Sequence, residues 1–419
     1  MGTESLLVLY QSNTVGELRR KERDTFTFTY STDWLSSDGS FAVSLRLPLT
    51  NAESSPEAAH TFFSNLLPEG RLRYLVCRKL GISRDNDFEL LKAIGGECAG
   101  ALTIVPEELR EKAYATNSYR LLSPGELRTF EKQGLVYPAV ANRSSMRLSL
   151  AGAQDKLPVV YREKCLYLPL ERSPSSHILK FSNRDFKHLP ANEVFTSLIA
   201  REIGIPAVDV KLIKLGTTHY CLVSRYDRQR DRQGNLVRMH QEDFCQALGH
   251  SSTRKYEQEG GPSFAQCASL IERYSGNPID DIDALLRWQV FNTLLGNADG
   301  HAKNLSIVHD ARHRIRPAPF YDLVCTACYP GLDRRLAMSV GGCNDPGQIG
   351  KRNRQLCADR LGIQFGYLQS VVTEMAESLP TAAHRVAGRF TAQYGSSPII
   401  GIIQKVIARR CRRSLRLKV

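Results

Sequence analysis

Hydrophobic residues follow two different spacings along the chain, and the change of spacing divides it into regions. Short apolar or alternating runs at residues 6–10, 25–30 and 41–47 predict strands. Three- and four-residue spacing in "EAAHTFFSNLLPEGRLRYLVCRKLGI" and "DNDFELLKAIG" predicts helices in the same region. We therefore expect a small α+β domain over residues 1–105, followed by a polar connector over residues 106–147.

A second β-rich region begins at about residue 148. The runs "LSLAGAQDKLPVVY", "CLYLPL", "HILKFS", "AVDVKLIKLG" and "HYCLVSRYDR" predict short strands, with one helix, "ANEVFTSLIAREIG", between the third and the fourth. Beyond residue 238 the pattern is mostly helical, as in "PSFAQCASLIERYSG" and "DIDALLRWQVFNTLLGN". This predicts an α+β fold with a β-rich lobe over residues 148–238 and a helical lobe over residues 239–419.

Composition and charge narrow the class of protein. The chain has 419 residues, of which 42% are hydrophobic, so it can form more than one domain with a core. No apolar stretch approaches the roughly 20 residues that a membrane span needs, which favours a cytoplasmic protein without a membrane partner. The net charge of +13 favours polyanionic partners. The basic run "ARRCRRSLRLKV" near the C-terminus is typical of a solvated helix end, with DNA contact as the alternative.

The eleven cysteines are scattered singly and do not follow a disulfide framework. The exception is Cys325 and Cys328 in "YDLVCTACYP", which have the spacing of half a zinc site. The sequence has no second CxxC or CxxH pair to supply the other two ligands, so we expect reduced thiols there rather than a metal centre.

Residues 296–305 read "GNADGHAKNL" and follow a long predicted helix. A turn would favour such small residues for backbone freedom alone. However, Asn304 lies five positions after Asp299, and Asp322 in "PFYDLV" follows a predicted β-hairpin. This is the order of a kinase catalytic loop and its second metal-binding aspartate. Asp299 suits a carboxylate that orients and deprotonates a hydroxyl, and Asn304 and Asp322 suit oxygen ligands of Mg²⁺.

The β-rich region contains the cation that a kinase needs near the phosphates. Lys180 ends the strand in "HILKFS", and Glu193 in the next helix is its possible partner. The segment "SLAGAQDK", residues 149–156, precedes them in the place of a phosphate-covering loop. It lacks the three glycines of G-x-G-x-x-G, and Lys156 is not followed by the Ser or Thr of a Walker A motif. Its small residues would still let backbone N–H groups approach a phosphate.

Six ordered motifs resemble the HipA family, the serine/threonine kinase toxins of bacterial type II toxin–antitoxin pairs. They are "LSLAGAQDK", "HILKFS", "LVSRYDR", "HQEDFCQALG" with "KYEQEGGPSF", "GNADGHAKN" and "FYDL". The resemblance implies a protein-kinase-like two-lobed fold, preceded by a small N-terminal α/β domain, that uses ATP and Mg²⁺. It implies that Asp299 is catalytic and that Ser149 is the serine that the family phosphorylates on itself. The nucleotide contacts that it implies are Ala151, Gly152, Ala153, Gln154, Asp155, Lys156, Lys180, Ser224, Arg225, Tyr226, His301, Ala302, Lys303, Asn304, Tyr321 and Asp322.

The same resemblance implies partners. A HipB-like DNA-binding antitoxin would dock the kinase and recruit it to operator DNA, placing it at the nucleoid. The implied protein substrate is an aminoacyl-tRNA synthetase, whose phosphorylation would halt translation.

Two other functions remain open from the residues. The D-x-x-x-x-N loop also occurs in enzymes that phosphorylate small alcohols, as aminoglycoside kinases do. A catalytically silent DNA-binding co-repressor would account for the charge, although such a protein would not need Asp299, Asn304 and Asp322 together.

Overall fold

The structure, a computed structural model, describes residues 4–22, 25–96, 98–111, 117–133, 156–170, 173–182, 185–216, 218–310 and 314–416. These residues fall into two compact units, which we describe separately. The first unit comprises the described residues within 1–181, 224–253 and 308–313. The second comprises those within 182–223, 254–307 and 314–419.

The first unit opens with a four-stranded antiparallel sheet in the order β3-β2-β1-β4. Its strands are β1 (Ser5–Tyr10), β2 (Asn13–Arg20), β3 (Phe26–Tyr30) and β4 (Leu102–Val105). Four helices lie between β3 and β4 along the chain, α1 (Thr32–Leu35), α2 (Pro56–Ser64), α3 (Gly70–Leu80) and α4 (Asp87–Ile94). The helices predicted in this region are confirmed, as are the strands predicted at residues 6–10 and 25–30.

Aromatic side chains from the sheet and the helices form the core of this region. Phe26 and Phe28 on β3 meet Phe62 and Phe63 on α2 and Phe88 on α4, and each is at most 1% exposed. Burying one such side chain contributes about 1.5–3 kcal/mol, so this cluster is a substantial source of stability for the region.

The strand predicted at residues 41–47 is wrong. Only an isolated bridge joins Ser44 to Leu47 there. The backbone donors of this segment are used by side chains, since Val43 donates to the Tyr30 hydroxyl (2.8 Å) and Leu45 to the Glu242 carboxyl group (3.0 Å). A segment whose N–H groups are satisfied in this way does not need a neighbouring strand.

The expected connector contains regular structure. Strand β5 (Tyr119–Leu121) and helix α5 (Pro124–Gln133) lie within residues 106–147. Ser123 and Glu126 exchange backbone and side-chain hydrogen bonds at the start of α5, as in a capping box. Leu127 and Phe130 on this helix are buried. The polar flanks of the segment hid this short amphipathic helix from pattern analysis.

A second antiparallel arrangement in the first unit places β5 beside β7 (Cys165–Pro169), which pairs with β6 (Lys156–Arg162), which pairs with β8 (His177–Lys180). The elements that follow along the chain are α6 (Leu189–Glu202), β9 (Val210–Leu215), β10 (Thr218–Ser224), β11 (Arg228–Arg230), β12 (Leu236–Arg238), β13 (Gln241–Asp243), α7 (Phe244–Leu248), α8 (Phe264–Tyr274), α9 (Pro278–Leu295), β14 (Ser306–His309), β15 (Ile315–Pro317), α10 (Lys351–Arg360), α11 (Phe365–Tyr394) and α12 (Pro398–Arg416).

Buried polar contacts join residues 224–253 to the N-terminal sheet region within the first unit. Glu242 accepts hydrogen bonds from the Ser44 hydroxyl (2.7 Å) and from Leu45 N–H. Asp227 accepts one from Gly100 N–H (2.8 Å). Segments that are far apart in the sequence therefore belong to the same compact unit because long-range contacts join them.

The second unit is mostly helical. It contains helix α6 and helices α8 to α12, together with an antiparallel hairpin of β9 and β10. Helix α8 begins at a capping box of Ser263 and Gln266, and α9 begins with Pro278 and ends at Gly296 in the left-handed region (φ 82°). The helices predicted in this part of the chain are confirmed. Among the helices of the described residues, none has both the length and the apolar character that crossing a membrane requires.

Candidate active site

The loop after α9 is fixed to the last turns of that helix. Asn297 donates from its side chain to Asn292 Oδ1 (3.0 Å) and accepts at Oδ1 from the backbone N–H of Asp299 (3.0 Å). Gly300 packs so closely that a Cβ there would lie 2.9 Å from Asn292 Nδ2. Asparagine and glycine at these positions therefore hold the backbone of Asp299 in place.

The Asp299 carboxylate is exposed to solvent, and two other side chains lie against one side of it. Its side chain is 53% exposed. The Tyr256 hydroxyl donates to its Oδ1, and His301 Nε2 lies 3.6 Å from the same oxygen. The Tyr256 and His301 rings meet edge to face with centroids 5.1 Å apart. A carboxylate that is accessible and oriented in this way can reach an incoming hydroxyl, as a general base must.

Asn304 belongs to the same loop as Asp299. A short 3-10 turn, Ala302–Asn304, brings the Asn304 side chain back so that its Nδ2 donates to Asp299 O (2.8 Å). Asn304 is 7% exposed. Because Nδ2 is turned toward the backbone, the carbonyl oxygen of the amide is the atom left to bind a cation, and oxygen is the ligand that Mg²⁺ prefers.

Asp322 has a strained backbone, with φ 55°. Such a conformation is uncommon outside glycine and requires support from its surroundings. Helix α6 supplies that support just after Asp322, because the Thr196 hydroxyl donates to Leu323 O. Asn192, one turn earlier on α6, donates to Cys325 O (3.1 Å) and accepts from Cys325 N–H (2.9 Å).

Tyr321 connects this segment to the Asp299 loop. Its hydroxyl donates to Lys303 O (2.9 Å) and lies 2.7 Å from the Ser306 hydroxyl. The second unit thus brings together the segments that contain Asp299, His301–Asn304 and Tyr321–Asp322, while their roles as a catalytic loop and a second metal-binding aspartate stay a prediction.

Two lysines face each other in the first unit. Lys156 on β6 and Lys180 on β8 are direct cross-strand partners, so their side chains share one face of the sheet. Lys180 is only 3% exposed. Two cationic side chains on one face of a sheet can both donate hydrogen bonds to the oxygens of a single anionic group. The pair therefore suits the binding of a phosphate group. Ser149 and Ala151–Asp155, which the sequence assigns to the adjoining loop, lie outside the described residues.

The segment Ser224–Tyr226 is anchored in the first unit through its side chains. Arg225 N–H donates to Ser176 O (3.0 Å), and its guanidinium group donates to both oxygens of Asp227 (2.9 and 2.7 Å). Although burial opposes ionisation, the guanidinium groups of Arg225 and Arg228 hold the pKa of the Asp227 carboxyl well below its usual range. The Arg225 side chain has a structural role, so a nucleotide contact at this residue would use its main chain.

Glu193 is buried on α6 and 1% exposed. It belongs to the second unit and Lys180 to the first, so their pairing stays a prediction.

The thiols of Cys325 and Cys328 form hydrogen bonds with main-chain carbonyl groups. Cys325 Sγ donates to Leu295 O (3.1 Å). The neighbouring Cys328 thiol and burial raise the pKa of Cys325 well above its ordinary value, which disfavours a reactive thiolate. Within the part of the chain that the structure describes, no group of three or more His, Cys, Asp or Glu residues lies together as a metal site would require. A Mg²⁺ site of one amide, one carboxylate and substrate phosphates does not require such a group.

Sequence analysis missed four residues that position the site, Asn192, Thr196, Tyr256 and Asn297. Asn192 and Thr196 are four residues apart on a helix, a spacing that places them on one face. Tyr256 lies in the quoted motif "KYEQEGGPSF", but its partner is 43 positions away. Nothing in local patterning could have linked Tyr256 to Asp299.

The order of strands and helices, with the Asp299 loop, a following pair of strands and then Asp322, defines a kinase-like fold. Comparison with known proteins agrees. The model of the HipA N-terminal domain matches residues 6–105, and that of the HipA-like C-terminal domain matches residues 148–383. The chain belongs to the HipA family.

Relatives match most of the chain. A protein of Sinorhizobium fredii named as a kinase, Y4mE, is 34% identical over 92% of this chain and 92% of its own length. The serine/threonine-protein kinase toxin HipA of Shewanella oneidensis is 32% identical over 87% of this chain and 84% of its own length. A chain in the solved complex of HipA, HipB and operator DNA from S. oneidensis MR-1 has a TM-score of 0.84 at 29% identity. That match covers 98% of both chains, which supports the kinase-like fold.

Proposed function

We propose that this protein is an ATP- and Mg²⁺-dependent serine/threonine protein kinase. The observation that carries the proposal is the Asp299 loop, in which the Tyr256 hydroxyl donates to an exposed carboxylate while the side chains of Asn297 and Asn304 bond the main-chain N–H and carbonyl of Asp299. Family membership and the kinase names of its relatives support the same reaction.

Each of the proposed groups has a distinct task in this reaction. Asp299 orients the substrate hydroxyl and accepts its proton as the oxygen attacks. Asn304 and Asp322 are the oxygen donors that would hold Mg²⁺, which neutralises phosphate charge when bound. Lys156 and Lys180 would bind phosphate oxygens. The residues 151–155, Ser224–Tyr226, His301–Lys303 and Tyr321 complete the proposed nucleotide contacts.

The proposal includes a role as the toxin of a toxin–antitoxin pair. A HipB-like antitoxin and operator DNA are the proposed partners, because the solved complex with which this chain shares its fold contains HipB and operator DNA. The net charge of +13 would favour contact with DNA phosphates. The proposed substrate is an aminoacyl-tRNA synthetase.

Self-inactivation through Ser149 is part of the same proposal. A phosphate on this residue would add a charge of about −1.5 to −2 at pH 7. That charge would be repelled by the phosphates of ATP if the loop of residues 149–156 covers them.

Radiolabelled ATP tests the reaction. The purified protein, with Mg²⁺ and a bacterial protein extract, should transfer label from the γ-phosphate to protein. Asp299→Asn should lower the rate about 100-fold to 10,000-fold while retaining nucleotide binding, because it removes a positioned base. Asp359→Asn is the matched control, since Asp359 is an exposed residue on α10 that bonds only Gln355 among the described side chains.

The destination of the label separates the alternatives. Label in a small alcohol and not in protein would favour a small-molecule phosphotransferase. Equal rates for the wild type and Asp299→Asn would remove Asp299 from catalysis. Operator binding without the antitoxin, together with no turnover of ATP, would favour a silent co-repressor.

A further inference from the structure

The second unit contains a cavity of about 280 Å³ between α9, α10, α11 and α12. This size is near the lower end for small-molecule sites. Its walls are largely apolar. The side chains that form them, all at most 8% exposed, are Leu286, Val290, Leu294, Ile349, Leu368 and Val372.

Five arginines and one aspartate also line this cavity. Arg354 is 4% exposed, and Arg410 is half-buried. Within the described residues, no carboxylate forms an ion pair with any of the five arginines, which are Arg334, Arg354, Arg409, Arg410 and Arg413. Asp345, the aspartate, instead accepts from Gly347 N–H (2.7 Å).

Among the described residues, Arg354 is bonded only to neutral groups. It donates to Gln369 Oε1 (3.1 Å) and to the Ser414 hydroxyl (2.9 Å). Burial lowers the pKa of this guanidinium group, and no acidic neighbour opposes that effect. A buried cation without a counter-charge is costly, so its presence indicates that an anion joins it in the working protein.

Arg410 is held on one side only. Its Nη1 donates to Thr293 O (3.0 Å), a carbonyl in the last turn of α9. Its Nε is shielded from solvent and has no hydrogen-bond partner among the described residues. Buried N–H groups are nearly always paired, so this atom is a second sign of a missing acceptor.

We propose that this cavity is a binding site for a small amphipathic organic anion, with a carboxylate head on Arg354 and Arg410 and an apolar body against the α9 and α11 side chains. Arginine binds carboxylates in a fork geometry that lysine cannot match. A purely ionic ligand would leave the apolar wall of the cavity without contact, so an amphipathic ligand fits the cavity better. The inference is independent of the proposed kinase activity.

Calorimetry without nucleotide tests the site. Octanoate is the probe, its neutral isostere octanamide tests the need for charge, and inorganic phosphate tests the need for the apolar body. Octanoate should bind with a stoichiometry near one. Octanamide and phosphate should each bind at least tenfold more weakly, since a hydrogen bond to a charged group contributes about tenfold or more.

Variants on the full chain identify the cations. Arg354→Met should weaken octanoate at least tenfold and leave the unfolding midpoint without ligand unchanged or higher, because it removes an uncompensated buried charge. Arg410→Met should weaken octanoate binding similarly, and this variant alone provides the test if Arg354→Met does not fold. Arg412 is an exposed residue of α12 outside the cavity lining, so the Arg412→Met variant should bind octanoate as the wild type does.

Three results would overturn the proposal. The first is equal affinity for octanoate and octanamide, or binding of neither. The second is phosphate binding as strong as octanoate binding. The third is unchanged octanoate affinity in the folded Arg354→Met and Arg410→Met variants.

Discussion

Glu242 should make the stability of the first unit depend on pH. This side chain is fully buried, and its two oxygens face the Ser44 hydroxyl and Leu45 N–H. Burial raises the pKa of its carboxyl group from 4.5 to about 8, although those two hydrogen bonds oppose the shift. The carboxyl group is therefore protonated in the folded protein at neutral pH.

The direction and size of the effect follow from proton binding. Below pH 4.5 the group is protonated in both the folded and the unfolded chain, and its contribution to stability is fully present. Between pH 4.5 and about 8 the unfolded chain releases the proton while the folded chain retains it. Each pH unit then lowers the free energy of unfolding by about 1.4 kcal/mol. Over the whole window the loss is on the order of 5 kcal/mol, and it stops above the folded pKa.

Tryptophan fluorescence can isolate this unit. The chain has two tryptophans, Trp34 in the first unit and Trp288 in the second. In a Trp288→Phe background, urea unfolding followed by fluorescence reports on Trp34 alone. Glu242→Gln in the same background cannot ionise, and its loss of one acceptor costs a pH-independent 1–3 kcal/mol or so.

The gap in unfolding free energy between the two proteins is the quantity to measure. Glu242 should be the more stable partner at pH 5, and the gap should close or reverse by pH 8. A gap that changes by less than about 1 kcal/mol over this range would refute the reasoning, since it would mean that Glu242 keeps an ordinary pKa in the fold.

Two further predictions concern the active site. Tyr256→Phe should lower kcat about tenfold and leave KM for ATP unchanged, because the lost hydroxyl positions Asp299, whose exposure keeps the effect near the low end for a charged hydrogen bond. Steady-state kinetics measures this, and an unchanged kcat would show that the bond does not matter in turnover. Asp322→Ala should remove the Mg²⁺ dependence of nucleotide binding, because Asn304 alone is a weak ligand for a hard cation. Calorimetry with and without Mg²⁺ measures this, and a retained dependence would assign the metal to other residues.

The parts of the fold that sequence could predict are those with local causes. The spacing of apolar residues in "DIDALLRWQVFNTLLGN" fixes a helical face, and the glycine after it fixes the end of α9. The order of Asp299, Asn304 and Asp322 predicts their chemistry because each role needs a particular residue type at a particular place. These expectations depend only on neighbouring residues.

The parts that sequence could not predict depend on distant partners. Residues 41–47 have the composition of a strand, yet their N–H groups are taken by Tyr30 and Glu242, the latter about two hundred positions away. Tyr256 reaches Asp299 only because the chain folds back on itself. A local pattern contains no information about which distant partner a donor or an acceptor will meet, so such contacts appear only in the folded structure.

The basic C-terminal helix shows how charge and helical phase must be considered together. Its charge run predicts a solvated end, and Arg409, Arg412 and Arg413 are indeed exposed. Arg410, however, follows Ile407 by three positions and Val406 by four, so the helical period places it on the inward side of α12, where it is half-buried. The conflict between residue type and phase is therefore present in the sequence itself, and a buried position that breaks the local rule requires a compensating group. Asp345 acts on Arg410 electrostatically, but no described carboxylate lies within ion-pair distance of it, so the conflict at position 410 leads from the sequence to the same missing anion that the cavity indicates.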